Sequence, residues 1–237
     1  SIARANASPT NAAKVSFTVT FSEAVTGVDK YDFSLVSTDA ISGAVITSVS
    51  GSGATRVISV NTGTGSGTLQ LDLVDNDSIK DLGKKPLGGP SLVNGDFTTG
   101  ETYTVDKTSP MVVSIVRASP DNTSAAVVNF LVTFTRPVAG VDRYDFRLTS
   151  TDTISDASII SVGGVVGTTR TVTVYAGNGS GTLDLDLVDN DTIRDVVRNP
   201  LGGGGLVNGD YIAGEIYTIE RTPPTVVSIM RTGADPT

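Results

Sequence analysis

Apolar residues recur at every second position through much of this chain. Val15, Phe17, Val19 and Phe21 alternate with polar residues, as do Tyr31, Phe33 and Leu35, and again Leu69, Leu71 and Leu73. A period of two places alternate side chains on opposite faces of an extended strand, so each run reads as a strand with one packed and one wet face. Turn signals separate the runs at Ser50-Gly51-Ser52-Gly53, residues 62–67, Gly88-Gly89 and Asn94-Gly95. No apolar stripe at helical spacing is long enough for a regular helix. The pattern predicts strands near 1–5, 14–22, 31–37, 44–50, 55–61, 68–74 and 101–106, about seven in ~110 residues, which is the signature of an immunoglobulin-like sandwich.

The same pattern then repeats. Val25 to Phe33 returns as Val138 to Phe146, Gly65 to Asp77 returns as Gly179 to Asp191, and Ser1-Ile2 returns as Ser114-Ile115 and Ser228-Ile229. The period is about 113 residues, with one extra residue in the second copy, placed in the Gly163–Gly167 loop. The packed set persists (Val128, Phe130, Val132, Phe134; Leu183, Leu185, Leu187), while changes such as Ser34 to Arg147, Gln70 to Asp184 and Val57 to Thr171 fall on the alternate face. The expected organisation is all-β, two tandem immunoglobulin-like β-sandwich domains of about seven strands each: 1–109, 110–223, and 224–237 as the opening strand of a third repeat. A single barrel spanning both copies is the less economical reading, since two copies of one sequence fold as two copies of one domain.

Composition narrows the chemistry. The 237 residues contain neither His nor Cys, which excludes a Ser-His-Asp triad, a Cys nucleophile, imidazole or thiolate metal sites and disulfides. A net charge of −8 and a pI near 4.5 argue against nucleic acid and anionic membrane as partners. No run approaches the ~20 apolar residues of a membrane-spanning helix. The opening Ser1-Ile2-Ala3-Arg4, without Met, reads as a mature or excised fragment.

Phe21-Ser22-Glu23-Ala24-Val25-Thr26-Gly27-Val28, Tyr31-Asp32-Phe33, the Asp81 to Gly88 loop and Tyr103-Thr104-Val105-Asp106-Lys107-Thr108-Ser109-Pro110 together resemble the bacterial Ig-like repeats of very large surface proteins. The second copy departs at Arg136-Pro137, where such repeats carry Glu, and neither copy keeps the Gly-Asn-Pro of the loop intact (Lys84-Lys85-Pro86, Val197-Arg198-Asn199-Pro200). The resemblance implies an extracellular or cell-surface bacterial location and a role in stalks, adhesins or surface layers.

Several constellations invite chemistry. The glycines of 63–67 and 177–181 are spaced like a phosphate loop, yet a strand follows where a helix N-terminus is required, so they read as flexible hairpin connections. Asp29 with Asp32, and Asp142 with Asp145, lie three apart in a turn and read as local backbone acceptors, not a catalytic pair. A Lys–Asn cross-link belonging to the repeat is excluded, because all six lysines lie in the first copy; Lys14 alone stays open, and its counterpart is Val127. The strongest site signal is Asp75-Asn76-Asp77 with Asp81, repeated as Asp189-Asn190-Asp191 with Asp195. Hard cations take roughly six to eight oxygen ligands, and closely spaced Asp and Asn supply them. Calcium is the one cofactor expected, with Asp106 and Glu220 in the segments after each copy as further ligands.

The reading that follows is a non-catalytic structural stalk segment, whose partners are neighbouring repeats of the same chain. A module adhering to a surface glycan or protein, and a subunit of a filament or surface layer made with other copies, are the alternatives. Between Tyr103 and Ile115 there is no Gly, and Pro110 fixes one φ, so one copy runs almost directly into the next. Each copy carries a complete strand set, so residues 1–109 expressed alone should give a β-rich circular dichroism spectrum and one cooperative melt; a non-cooperative chain would contradict the division.

Overall fold

The computed structural model describes residues 1–233, in which strands make up nearly all regular structure. Packing divides it into two compact units: Ser1–Ser109 with Val197–Asn199, and Pro110–Val196 with the residues from Pro200 on. In unit 1 the strands are β1 (Ile2–Arg4), β2 (Lys14–Thr20), β3 (Val25–Thr26), β4 (Phe33–Ser37), β5 (Val45–Ser50), β6 (Thr55–Asn61), β7 (Gly67–Leu73), β8 (Lys80–Asp81) and β9 (Thr102–Val105). One sheet runs β1-β2-β6-β5 and the facing sheet β4-β7-β9. Written in immunoglobulin letters this is A-B-E-D against C-F-G, the order of the seven-stranded sandwich. Beyond the expected seven lies the short pair β3-β8, with Val25 opposite Asp81.

Unit 2 repeats the order with β10 (Val112–Arg117), β11 (Val127–Ala139), β12 (Phe146–Ser150), β13 (Ser158–Gly163), β14 (Gly167–Tyr175), β15 (Gly181–Leu187), β16 (Arg194–Asp195) and β17 (Tyr217–Ile219). Here β11 runs on through Pro137 to pair with β16, merging what unit 1 builds as two strands. The extra residue sits where expected: Ser50 faces Val57, whereas Gly163 faces Thr171 across the equivalent hairpin. Residues 224–233, read above as the opening strand of a third copy, carry no strand assignment; 234–237 lie outside the described residues.

Each core is the period-two set. Phe17, Ile58, Val60, Leu69, Leu71, Tyr103 and Val105 are buried in unit 1, and Phe130, Val172, Val174, Leu183, Leu185, Tyr217 and Ile219 in unit 2. Phe17 meets Tyr103 edge-on at 5.0 Å, as Phe130 meets Tyr217. The tyrosine hydroxyls donate to Ser16 O at 2.7 Å and Asn129 O at 2.8 Å, and accept from Asn6 N–H and Ser119 N–H, so each ring packs in the core while its polar tip is satisfied at the sheet edge.

Two expectations are corrected. Tyr31 does not continue the apolar alternation of β4: it lies in a 3-10 turn, Lys30–Asp32, and is 75% exposed, as its counterpart Tyr144 is at 71%. The glycine runs are not flexible connections either. Gly63, Gly65 and Gly67 lie flush against residues 38–42, where an added Cβ would stand 2.1, 2.1 and 2.3 Å from the carbonyl oxygens of Ser42, Ala40 and Thr38. The second copy repeats this with Ser155, Thr153 and Thr151. Gly65 and Gly179 also have φ of +76° and +86°, which glycine adopts without the penalty of a Cβ. Gly65→Ala and Gly179→Ala should therefore each lower stability by about 2–4 kcal/mol in urea unfolding; a neutral outcome would mean these ribbons are loose.

Candidate functional site

The duplicated acidic loop leaves β7 after Leu73 and runs to β8. Its first carboxylate, Asp75, is buried, and both of its oxygens are committed: Oδ1 accepts Asp77 N–H at 3.1 Å and Oδ2 accepts Gly95 N–H at 3.2 Å. The backbone N–H of Asp75 in turn donates to Asp96 Oδ1 at 2.7 Å. Asn76 Oδ1 accepts Ser78 N–H at 2.9 Å. Unit 2 reproduces each bond: Asp191 N–H and Gly209 N–H on Asp189, Asp189 N–H on Asp210, and Thr192 N–H on Asn190. A loop without a strand partner must still satisfy its buried backbone, and closely spaced Asp and Asn side chains do that locally. Asp77 and Asp191 take φ of +61° and +63°, a conformation Asp tolerates better than most residues.

The turn before β4 locks onto the same loop. Asp29 and Asp32 form a reciprocal capping box over the 3-10 turn, and Asp32 also accepts the Ser78 hydroxyl at 2.6 Å. Asp145 does likewise with Asp142 N–H at 2.7 Å and the Thr192 hydroxyl at 2.8 Å. Burial raises the pKa of the Asp145 carboxyl, and the Asp142 N–H bond opposes that shift. These pairs are therefore turn-builders, as expected from their spacing.

The six residues proposed for calcium do not converge as a cage. Asp75 and Asp189 spend both oxygens on backbone N–H groups, Asp81 Oδ1 accepts Lys85 N–H at 2.8 Å, and buried Asp195 pairs with Arg136 at 2.8 Å. That ion pair also gives the departure at Arg136 its role. Asp106 Oδ1 caps Thr108 N–H at 3.0 Å and Glu220 Oε1 caps Thr222 N–H at 2.6 Å. The Thr222 bond is the main cause holding the Glu220 carboxyl below its usual range. Within the acidic loops Asp77 Oδ1 and Asp191 Oδ1 are buried without a hydrogen-bond partner. Among the described residues no group of three or more carboxylates is placed to hold a metal ion. Hard cations take roughly six to eight oxygen ligands, and in both loops the hydrogen-bonded carboxylates serve the chain's own N–H and guanidinium donors.

Sequence reasoning missed two cationic positions. Lys107 Nζ donates to Thr62 Oγ1 at 2.8 Å and to Gly63 O, and burial lowers its pKa. Its counterpart Arg221 donates to Gly177 O at 2.6 Å, Gly179 O at 3.3 Å and Ala125 O at 2.7 Å. The glycine ribbon thus presents carbonyls to a cation of the chain itself, opposite in polarity to a phosphate loop. Arg56 and Arg170 are likewise buried without a carboxylate: Arg56 Nη2 donates to Val25 O at 2.7 Å, and Arg170 Nη2 to Val138 O. Their only warning in the sequence was a cation repeated inside a strand. Lys14, the lysine left open for a cross-link, starts β2 and is exposed.

No family model and no curated protein matches the chain. Among solved structures it is similar to FdeC, an Escherichia coli adhesin, at 14% identity and a TM-score of 0.37, covering 92% of this chain and 62% of that one. It is also similar to the D0-D1 domain of intimin, at 10% identity and a TM-score of 0.25, covering 78% of this chain and 88% of that one. At such scores neither likeness supports a conclusion about this chain, whose fold assignment rests on strand order. The chain spans less than two thirds of the length of the adhesin structure.

Removing Asp75 leaves the N–H groups of Asp77 and Gly95 without their acceptor. Asp75→Ala and Asp189→Ala should each cost about 2–4 kcal/mol in urea unfolding, equally in chelator and in millimolar calcium. A melt that rises with calcium in the parent chain, and not in an Asp77→Ala/Asp191→Ala variant, would restore the ion.

Proposed function

We propose that this chain is a non-catalytic structural segment of a bacterial surface protein, two Ig-like units of a longer stalk. One observation carries the reading. The polar residues held in both copies, Asp29/Asp142, Asp32/Asp145, Asp75/Asp189, Arg56/Arg170, Tyr103/Tyr217 and Lys107/Arg221, all bond to the chain's own backbone. Residues that differ between copies fall mainly on the outward faces of strands. What is duplicated in these residues is the means of holding a sandwich together, and the duplicated ion pair Arg4–Glu101/Arg117–Glu215 likewise bonds a backbone N–H of its own first strand. The proposed setting is extracellular; no helix among the described residues is long and apolar enough to cross a membrane.

Tyr31 and Tyr144 support a second reading, a module that binds a glycan or protein. Both rings are exposed, and each carries a neighbouring cation over its face, Lys30 at 5.1 Å and Arg143 at 4.9 Å. In unit 1 Tyr31 borders an open groove with Phe33, Leu35, Val45 and Ile46. Stacking of an aromatic face on an apolar sugar face would suit such a platform, although the cation competes for it.

Glycan and extracellular-protein arrays probed with the 237-residue chain separate the two. The stalk reading predicts no specific capture. Capture that disappears in a Tyr31→Ala/Tyr144→Ala variant would overturn it in favour of the binding module.

A further inference from the structure

Each unit ties the strand edges on one side of its sandwich together and leaves the other side open. On the tied side of unit 1, Thr10 N–H bonds Thr104 O, Asp106 N–H bonds Thr10 O and Glu101 N–H bonds Ile2 O. Unit 2 repeats this with Thr123 N–H on Thr218 O, Glu220 N–H on Thr123 O and Glu215 N–H on Ile115 O. On the open side lie β4 and β5, each paired to a single neighbour, β7 and β6. Phe33, Ser34 and Leu35 of β4 and Val45 and Ile46 of β5 line the groove between them, which measures ≈ 370 Å³.

The two open edges are finished differently. β5 carries a register shift between Ile46 and Ser48, and β13 repeats it between Ile159 and Ser161. A bulge of this kind turns an edge away from further pairing. β4 and β12 instead keep an unbroken register with β7 and β15. β4 has neither charge nor Pro, and the one charge on β12, Arg147, is paired with Asp186 at 2.7 Å. Thr38 N–H bonds Thr68 O and Val74 N–H bonds Asp32 O. Ladder bonds alternate along an antiparallel strand, so Phe33, Leu35 and Ser37 turn their N–H and C=O away from β7. In unit 2, Thr151 N–H on Thr182 O and Val188 N–H on Asp145 O set the same phase, and Phe146, Leu148 and Ser150 face outward.

The ends of this edge carry opposite charges. Lys30 stands just before β4 and Asp39 just after it, as Arg143 and Asp152 do around β12. All four are exposed, and none enters an ion pair among the described residues. The sign at each end is held in both copies although the cation changes from Lys to Arg. A strand with a cation at one end and a carboxylate at the other is complementary to itself read backwards.

We propose that two copies of this chain join edge to edge through β4, antiparallel about Leu35, and that β12 offers the same contact about Leu148. In this register Phe33 faces Ser37 of the second copy and Leu35 faces Leu35, so every facing residue is one whose backbone groups point outward. A slip by one residue would set outward groups against inward ones. The same two-fold brings Lys30 of each copy to the Asp39 end of the other, and Arg143 to Asp152. A parallel pairing would bring like charges together. Ser34 comes beside Val36, which is 46% exposed in the single chain. Because the same surface serves on both sides, the contact is isologous. The pairing goes beyond the stalk reading by joining chains side by side, and it stands whether or not the exposed tyrosines bind a ligand.

Sedimentation velocity of the 237-residue chain across a dilution series tests this, and should show a monomer that gives way to a larger species as concentration rises. Ser37→Pro with Ser150→Pro removes N–H groups that face outward, so association should be lost while the melting temperature of the monomer holds. Lys30→Asp with Arg143→Asp should weaken association about tenfold, and adding Asp39→Lys with Asp152→Lys should restore it. The charge exchange leaves the strand itself untouched, and it decides the matter should the Pro variant melt early. A chain that is monomeric at every concentration, association that survives the Pro substitutions, or a charge reversal that has no effect or is not rescued by its complement would each overturn the proposal.

Discussion

A sandwich of this size without disulfides or Trp must satisfy long, partly buried loops with hydrogen bonds, and two buried carboxylates meet that need. Asp75 holds the exit of β7, the following turn and the 88–96 loop in one place, and Asp189 does the same in the second copy. An unpaired buried N–H costs as much as a lost hydrogen bond or more. Without this carboxylate the loop would have to open to water, and it would release Leu87 or Leu201 from the end of the core. Asp32 and Asp145 then tie the turn before β4 to that loop. Core packing follows from the strands, but the closed ends of each unit follow from these acids.

The pair of copies acts as an internal comparison. Outward positions accept Ser34 becoming Arg147 and Gln70 becoming Asp184, and the new Arg147 pairs with Asp186 across the sheet at 2.7 Å. Glu23 becoming Arg136 is accommodated by an ion pair with buried Asp195. Lys107 becoming Arg221 keeps the same target, the carbonyls of the glycine ribbon, with more donors. Asp29, Asp32, Asp75 and Tyr103, which bond the backbone at the closed ends and the sheet edge, are unchanged as Asp142, Asp145, Asp189 and Tyr217.

Strands, their order of appearance and the repeat were legible because period-two alternation records burial directly. The β3-β8 pair was not, since two residues per strand leave no period to read. Tyr31 precedes Phe33 and Leu35 in phase and so mimics a strand position, and only the capping geometry of Asp29 and Asp32 shows that the backbone is a 3-10 turn there. The glycine runs read as flexible because composition alone does not reveal the opposing backbone of residues 38–42. The acidic loops read from their spacing as oxygen clusters suited to a hard cation. What the spacing could not show is that most of those oxygens face the chain's own N–H groups. Asp96 and Asp210 carry no local signal in the sequence, because they lie 21 residues from their partners.

Amide hydrogen exchange in chelator distinguishes carboxylates that hold the loop themselves from carboxylates that need a bound ion. The N–H groups of Asp77, Gly95, Asp191 and Gly209 should exchange slowly in calcium-free buffer, because Asp75 and Asp189 accept from them in the folded chain itself. Exchange at the rates of an open loop in chelator, slowing only when calcium is added, would contradict it.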